Sequence, residues 1–193
     1  LCGLDPGVEY GFRADSEVPE GSTTLRFDPR RILLDPYSKA VSGLERWIVG
    51  LAHVAEEGGA PLFCIGLEYT HAQKFEAEWR RIIAAVRVVY RGRITYGANW
   101  HEIDAVPFWD ALDHVGVLAY FPLTIAVDPT ARMLDKGWER RAGELRAISA
   151  RTGKSILFVE LGYDERDDAA VRPWADDGSV GPNARAVQVR CLE

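Results

Sequence analysis

Apolar positions recur at helical spacing from Leu44 onward: Leu44, Trp47, Ile48, Leu51 and Val54 share one helical face. Gly58-Gly59 supplies a stop for that helix. Leu62–Glu68 is a short, continuous apolar run, the pattern of a strand buried on both faces. Phe75, Trp79, Ile82, Ile83, Val86 and Val89 make a second helical stripe. Arg93–Trp100 and Val115–Phe121 read as the next two strands, with a short helix expected over Val106–Leu112 between them. Leu134, Trp138, Ala142, Leu145 and Ile148 mark a long helix stopped at Gly153. Ser155–Gly162 is a fourth strand, and Asn183–Leu192 a last helix.

Helix and strand therefore alternate, which predicts an α/β fold with a parallel sheet. Two architectures compete: an open doubly wound sheet and part of a (β/α)₈ barrel. A dinucleotide-binding sheet would carry GxGxxG after its first strand, and a phosphate loop GxxxxGK[ST]; neither string occurs. The barrel is favoured by what ends each strand: Glu68-Tyr69, Asn99-Trp100-His101, Tyr120 and Glu160. Barrel active sites are built from that C-terminal edge. Residues 1–43 have a different texture. They hold four of the ten prolines and no helical period, and short strands are expected over Glu9–Arg13 and Leu25–Phe27. The expected domains are thus a loop-rich segment, 1–43, and a partial barrel, 44–193.

Composition narrows the function classes. With 193 residues, 47% hydrophobic and 27% charged, the chain is that of a globular domain. No apolar run approaches the roughly 20 residues of a membrane span. The N-terminus carries no basic stretch followed by an apolar core, so a cytoplasmic location is expected. A net charge of −6 argues against a nucleic-acid partner. Three scattered cysteines make neither a disulfide framework nor a CxxC metal site, so no metal or other cofactor is expected. Oligomeric state is not legible.

Two glutamates at strand ends suit glycoside hydrolysis, one as acid and one as nucleophile or base; the competing reading of each is a salt-bridged strand end. Trp100 and Trp174 are candidate sugar platforms, because a sugar's C–H face packs on an aromatic ring. Trp47, Trp79 and Trp138 fall on helical stripes and are expected in the core, and Trp109 is undecided. Tyr120 could hydrogen-bond a nearby carboxylate. Asn99 and His101 could contact sugar hydroxyls or merely hold their loop. His53 and His114 read as structural, and His71 has no metal partner in spacing. Arg80-Arg81 and Arg140-Arg141 read as solvated helix faces. The acidic runs at 164–168 and 176–177 read as loop surface, with an oxygen-ligand calcium site as the alternative.

The segment from about Leu44 to Glu193 resembles glycoside hydrolase family 113, β-mannanase-type enzymes of a retaining (β/α)₈ clan. The resemblance runs through FCIGLEY (63–69), AAVRVVYRG (84–92), ITYGANW (94–100), VPFWDALDHVGVLAYFPL (106–123), KSILFVELGY (154–163) and RPW (172–174). It implies that the strands are the barrel's fourth to seventh. It implies Glu68 as acid/base, Glu160 as nucleophile and Tyr120 as the residue orienting it. Asn99, Trp100 and Trp174 would line the sugar site, and His101 beside them stays a substrate-binding candidate on the residue reading alone. One position departs from the wider clan: Leu67 stands where an Asn that binds the sugar 2-hydroxyl often precedes the acid/base. Residues 1–43, through YGFR (10–13) and RFDPRRILLDPYSKAVSG (26–43), resemble glycogen-debranching and isoamylase-type α-glucan enzymes. The two resemblances meet near Gly43-Leu44, as expected of a chimeric or recombined sequence.

The expected function is that of a retaining glycosidase on β-mannan or manno-oligosaccharides. A complete barrel needs about 250 residues, and the chain starts at Leu1 rather than Met. It therefore reads as a truncated enzyme whose activity is in question, with a non-catalytic sugar-binding half-barrel as the alternative. Glycogen debranching ranks last.

Overall fold

A computed structural model of the chain describes residues 41–175 and 180–193. The strands expected within residues 1–40 and the acidic pair Asp176-Asp177 lie outside them. The chain divides into two compact units. The first comprises residues 1–59 and 84–91, the second 60–83 and 92–193.

In the first unit, helix α1 (Val41–Glu57) ends as its glycines dictate. The Gly58 N–H donates to Val54 O at 2.9 Å, and Gly59 takes φ +66°, a conformation that costs a residue without Cβ little. Ile48 and Ala52 are buried, but Trp47 is 59% exposed, so its place on the apolar stripe does not put it in the core. The Arg91 N–H donates to Glu56 Oε2 at 2.9 Å.

The second unit is built on four strands: β1 (Leu62–Leu67), β2 (Arg93–Asn99), β3 (His114–Ala119) and β4 (Ser155–Leu161). All neighbours are parallel, and the order is β1-β2-β3-β4. Among the described residues the order never reverses, so these four strands show no switch point of the doubly wound kind. Consecutive parallel neighbours are the arrangement of a barrel wall. The two middle strands are buried almost throughout, whereas β1 and β4 are only partly covered. Helix α2 (Glu76–Val89) links β1 to β2, and α3 (Ala131–Thr152) links β3 to β4. Helix α4 (Ala184–Leu192) follows the loop after β4.

The helix expected over Val106–Leu112 is instead two 3₁₀ turns, Ile103–Ala105 and Trp109–Ala111. Pro107 is the reason. It lacks an N–H and disfavours helical backbone at the residue before it, and Val106 is extended at φ −88°, ψ 112°. Arg80 pins this connection to α2 by forking onto Asp110 (3.0 and 2.8 Å) while also reaching Glu76. Those partners push the guanidinium's pKa up and hold the Asp110 carboxyl below its ordinary value.

Trp79, buried as expected, stacks on Phe108 at 5.4 Å and meets Tyr96 edge-on at 5.2 Å. Its indole N–H donates to Ala72 O at 3.0 Å, satisfying the polar handle of a buried ring. Trp109 is also buried, donating to Ile103 O, which resolves it as structural. Trp138 is half-buried, with its indole N–H on Cys191 O. His114 bonds Ser155 across the β3–β4 pair at 2.7 Å. Among the described residues, no helix is long and apolar enough to cross a membrane.

Candidate active site

Each of the two glutamates follows an irregularity in its strand. Between β1 and β2 the register runs Cys64↔Thr95 and then Leu67↔Gly97, so β1 carries one residue more than its partner just before Glu68. Between β3 and β4 it runs Val117↔Phe158 and then Leu118↔Glu160, so Val159 is extra and immediately precedes Glu160. Such bulges re-aim the side chains that follow them. Glu68 has φ +54°, while its N–H still donates to Gly97 O at 3.0 Å. The next N–H, of Tyr69, donates to the buried Tyr96 hydroxyl at 2.9 Å. Burial pushes the Tyr96 phenol well above its ordinary value, keeping that oxygen protonated and neutral.

Glu68, Asn99, Trp100, His101, Tyr120, Glu160 and Trp174 all line one cleft of about 880 Å³, joined there by Asp164 and Pro173. The second unit supplies every one of these residues. The Tyr120 hydroxyl donates to Glu160 Oε2 at 2.9 Å. That bond, then burial, then the charges of Glu160, Asp164 and Glu68 push the Tyr120 phenol above its ordinary value. It therefore stays a donor to Glu160 across the neutral range. Gly162 leaves room for this arrangement, since a Cβ there would come within 2.9 Å of the Tyr120 ring.

The aromatic wall has its own support. Trp100 and Trp174 lie 6.1 Å apart with their planes at 33°, and His101 meets Trp100 at 5.1 Å. Arg141, half of a pair expected on a solvated face, lies under this wall. Its guanidinium is 4.6 Å from the Trp100 ring centroid and 5.7 Å from that of Phe121. It is held by Glu144 and the Pro122 carbonyl. Sequence reasoning missed Arg141, Asp164 and Glu102, whose carboxylate accepts from Asn99 and Thr70. Helical period could have separated Arg141 from Arg140. The other two sit in loops, where no period exists.

Two carboxylates of the acidic run after β4 are partnered. Asp168 holds Arg166 and Arg172, and Asp167 accepts from the Asn183 N–H. Among the described residues, no group of three or more His, Cys, Asp or Glu is placed to hold a metal ion.

A family model described as Glycoside Hydrolase Family 113 matches residues 24–191. The chain belongs to that family. The GH113 chain is similar in structure to a GH113 β-mannanase from Alicyclobacillus acidocaldarius solved in complex with ManMIm. The TM-score is 0.68 at 32% identity, over 81% of this chain and 47% of that one. A GH113 β-1,4-mannanase complex matches with a TM-score of 0.68 at 26% identity, over 86% of this chain and 49% of that one. A further GH113 β-1,4-mannanase, at 24% identity, shares the fold with a TM-score of 0.68. The GH113 chain thus spans about half the length of these solved relatives. Its α/β sheet is consistent with part of their barrel. A 49-residue stretch is 43% identical to the glycogen debranching enzymes of Pectobacterium carotovorum and Pectobacterium atrosepticum. It covers 25% of this chain and 7% of each enzyme.

Proposed function

We propose that this chain carries the catalytic wall of a retaining β-mannanase, its strands β1–β4 being the fourth to seventh of a (β/α)₈ barrel. What supports this reading above all is that Glu68 and Glu160, each at the end of a bulged strand, line one cleft with Tyr120 bonded to Glu160. In this reading Glu160 attacks the anomeric carbon while Glu68 gives its proton to the leaving glycosidic oxygen. Glu68 then takes a proton from the water that breaks the glycosyl-enzyme ester. Tyr120 holds the Glu160 carboxylate toward the sugar. Trp100 and Trp174 take the apolar faces of the sugars, and Asn99 and His101 their hydroxyls. With Leu67 in the position before Glu68, that position offers no hydrogen bond, so recognition of polar groups falls to neighbouring strands.

The test is reducing-sugar release from β-1,4-mannan by the protein, with the product anomer followed by NMR. Release with retained configuration is expected, and Glu68→Gln and Glu160→Gln should each lower it by at least about 100-fold. Activity surviving both changes would overturn the assignment. A second reading, sugar binding without turnover, is favoured by the exposure of Leu67 and Leu161 on the outermost strands of the four. Binding of mannotriose with no release would establish it.

A further inference from the structure

Glu102 lies beside the cleft and contributes nothing to its lining. A turn places it: its N–H donates to Asn99 O at 2.8 Å, which folds the loop after β2 back over the strand end. There one carboxylate oxygen, Oε2, accepts from Asn99 Nδ2 at 3.3 Å and from Thr70 Oγ1 at 2.9 Å. Thr70 belongs to the turn that carries Glu68, and its N–H donates to Glu68 O at 2.7 Å. Glu102 is thus fixed from two sides by elements bearing candidate site residues.

We infer that Glu102 is a positioning residue that sets which end of the Asn99 side chain the substrate meets. A carboxylate only accepts hydrogen bonds, so the Asn99 group turned to it must be the NH₂. The amide's other end, Oδ1, points away from Glu102 and is kept as an acceptor for a sugar hydroxyl at the cleft. Without Glu102, the Asn99 amide is free to flip between acceptor and donor. In a chain with Leu67 before the acid/base, a fixed acceptor on the next strand supplies a directed polar contact that Leu67 cannot. The inference rests on the glycosidase reading for its ligand, a β-1,4-manno-oligosaccharide, but the orientation itself does not.

The experiment uses the whole chain and two readouts. In the first, calorimetry with mannotriose compares wild type, Asn99→Ala, Glu102→Ala, Glu102→Gln and the Asn99→Ala/Glu102→Ala double variant. Glu102→Ala should weaken binding about tenfold. Glu102→Gln, which keeps an acceptor oxygen, should stay within about twofold. The double variant should bind no worse than Asn99→Ala, because Glu102 acts through Asn99. Unchanged binding in Glu102→Ala, or losses that simply add, would overturn the inference. In the second readout, the ¹⁵N-labelled Asn99 side-chain NH₂ signals are followed without ligand. They should move in Glu102→Ala and hold in Glu102→Gln; signals indifferent to both changes would overturn it. If wild type bound no mannotriose, the glycosidase reading would fall, and this second readout would still decide the orientation of Asn99.

Discussion

At φ +54° the Cβ of Glu68 crowds the following carbonyl, at a cost of roughly 1–2 kcal/mol for any L residue but glycine. Among the described residues it is the one non-glycine in that region, and it is also the candidate acid/base. Strain of this kind persists where surrounding bonds over-determine it. Here those bonds are the Glu68 N–H on Gly97 O and the Tyr69 N–H on Tyr96. The expected outcome is that Glu68→Gly is more stable than Glu68→Ala by about 1 kcal/mol, both being inactive. Urea unfolding of the two variants measures the difference, and equal midpoints with equal slopes would show the backbone there to be unstrained. Arg141 is a second residue whose situation decides its meaning. Placed under Trp100 with its side chain mostly buried, it is a scaffold for the aromatic wall.

Helix α3 approaches the loop after β3 through Gly137, where a Cβ would lie 2.4 Å from Leu123 O and 2.8 Å from Leu123 Cβ. Backbone cannot yield as a flexible side-chain tip can, so Gly137→Ala forces α3 outward. The expected loss is about 1–3 kcal/mol, the usual cost of overpacking, read as a lowered urea midpoint. Gly143, on the same helix with open space around its Cβ, is the control, and Gly143→Ala should be neutral or stabilising. The order and type of these elements were legible in the sequence because period and stop signals agreed: Gly58-Gly59 and Gly153 end α1 and α3 as expected. Apolar spacing alone suggests one helix over Val106–Leu112, and Pro107 divides the region into two 3₁₀ turns instead. The bulges before Glu68 and Glu160 were not legible at all. Runs such as LFCIGL and SILFVEL are apolar without alternation, so they carry no period-two signal from which a one-residue slip could be read. Glu68, Asn99, Trp100, His101, Tyr120 and Glu160 were nonetheless legible, because each lies at or just past a strand end. Trp174 was legible as an aromatic outside any helical stripe, whereas Asp164 in the loop after β4 was not. Their supports, Glu102 and Arg141, were not legible either, because they reach the cleft from other elements.

Taken whole, the second unit buries several weak acids in their neutral forms. Burial pushes the phenols of Tyr96 and Tyr163 up, raises the Cys64 thiol, and takes the Cys191 thiol up to about 11 from its ordinary 9.0. Tyr163 is held with its hydroxyl donating to Phe121 O at 3.0 Å, and Cys191 on α4 is fully buried. In each case the folded state keeps its proton at a pH where the unfolded chain has released it. The unfolded chain then binds fewer protons than the folded one, so stability falls as pH rises. The contribution of Cys191 is complete below about pH 9 and is lost progressively toward about pH 11. The tyrosines extend the decline beyond their ordinary value of about 10. Thermal melting should therefore hold steady up to about pH 8.5 and drop continuously above it. A chain of net charge −6, growing more negative, adds self-repulsion in the same direction. Cys191→Ala separates the two contributions, since it removes the thiol's titration and leaves the global charge almost unchanged. Its melting curve should start lower at pH 7, from the lost packing, and decline less steeply than wild type between pH 9 and 11. Parallel slopes in the two proteins would mean that Cys191 ionises as readily folded as unfolded, which its burial on α4 argues against.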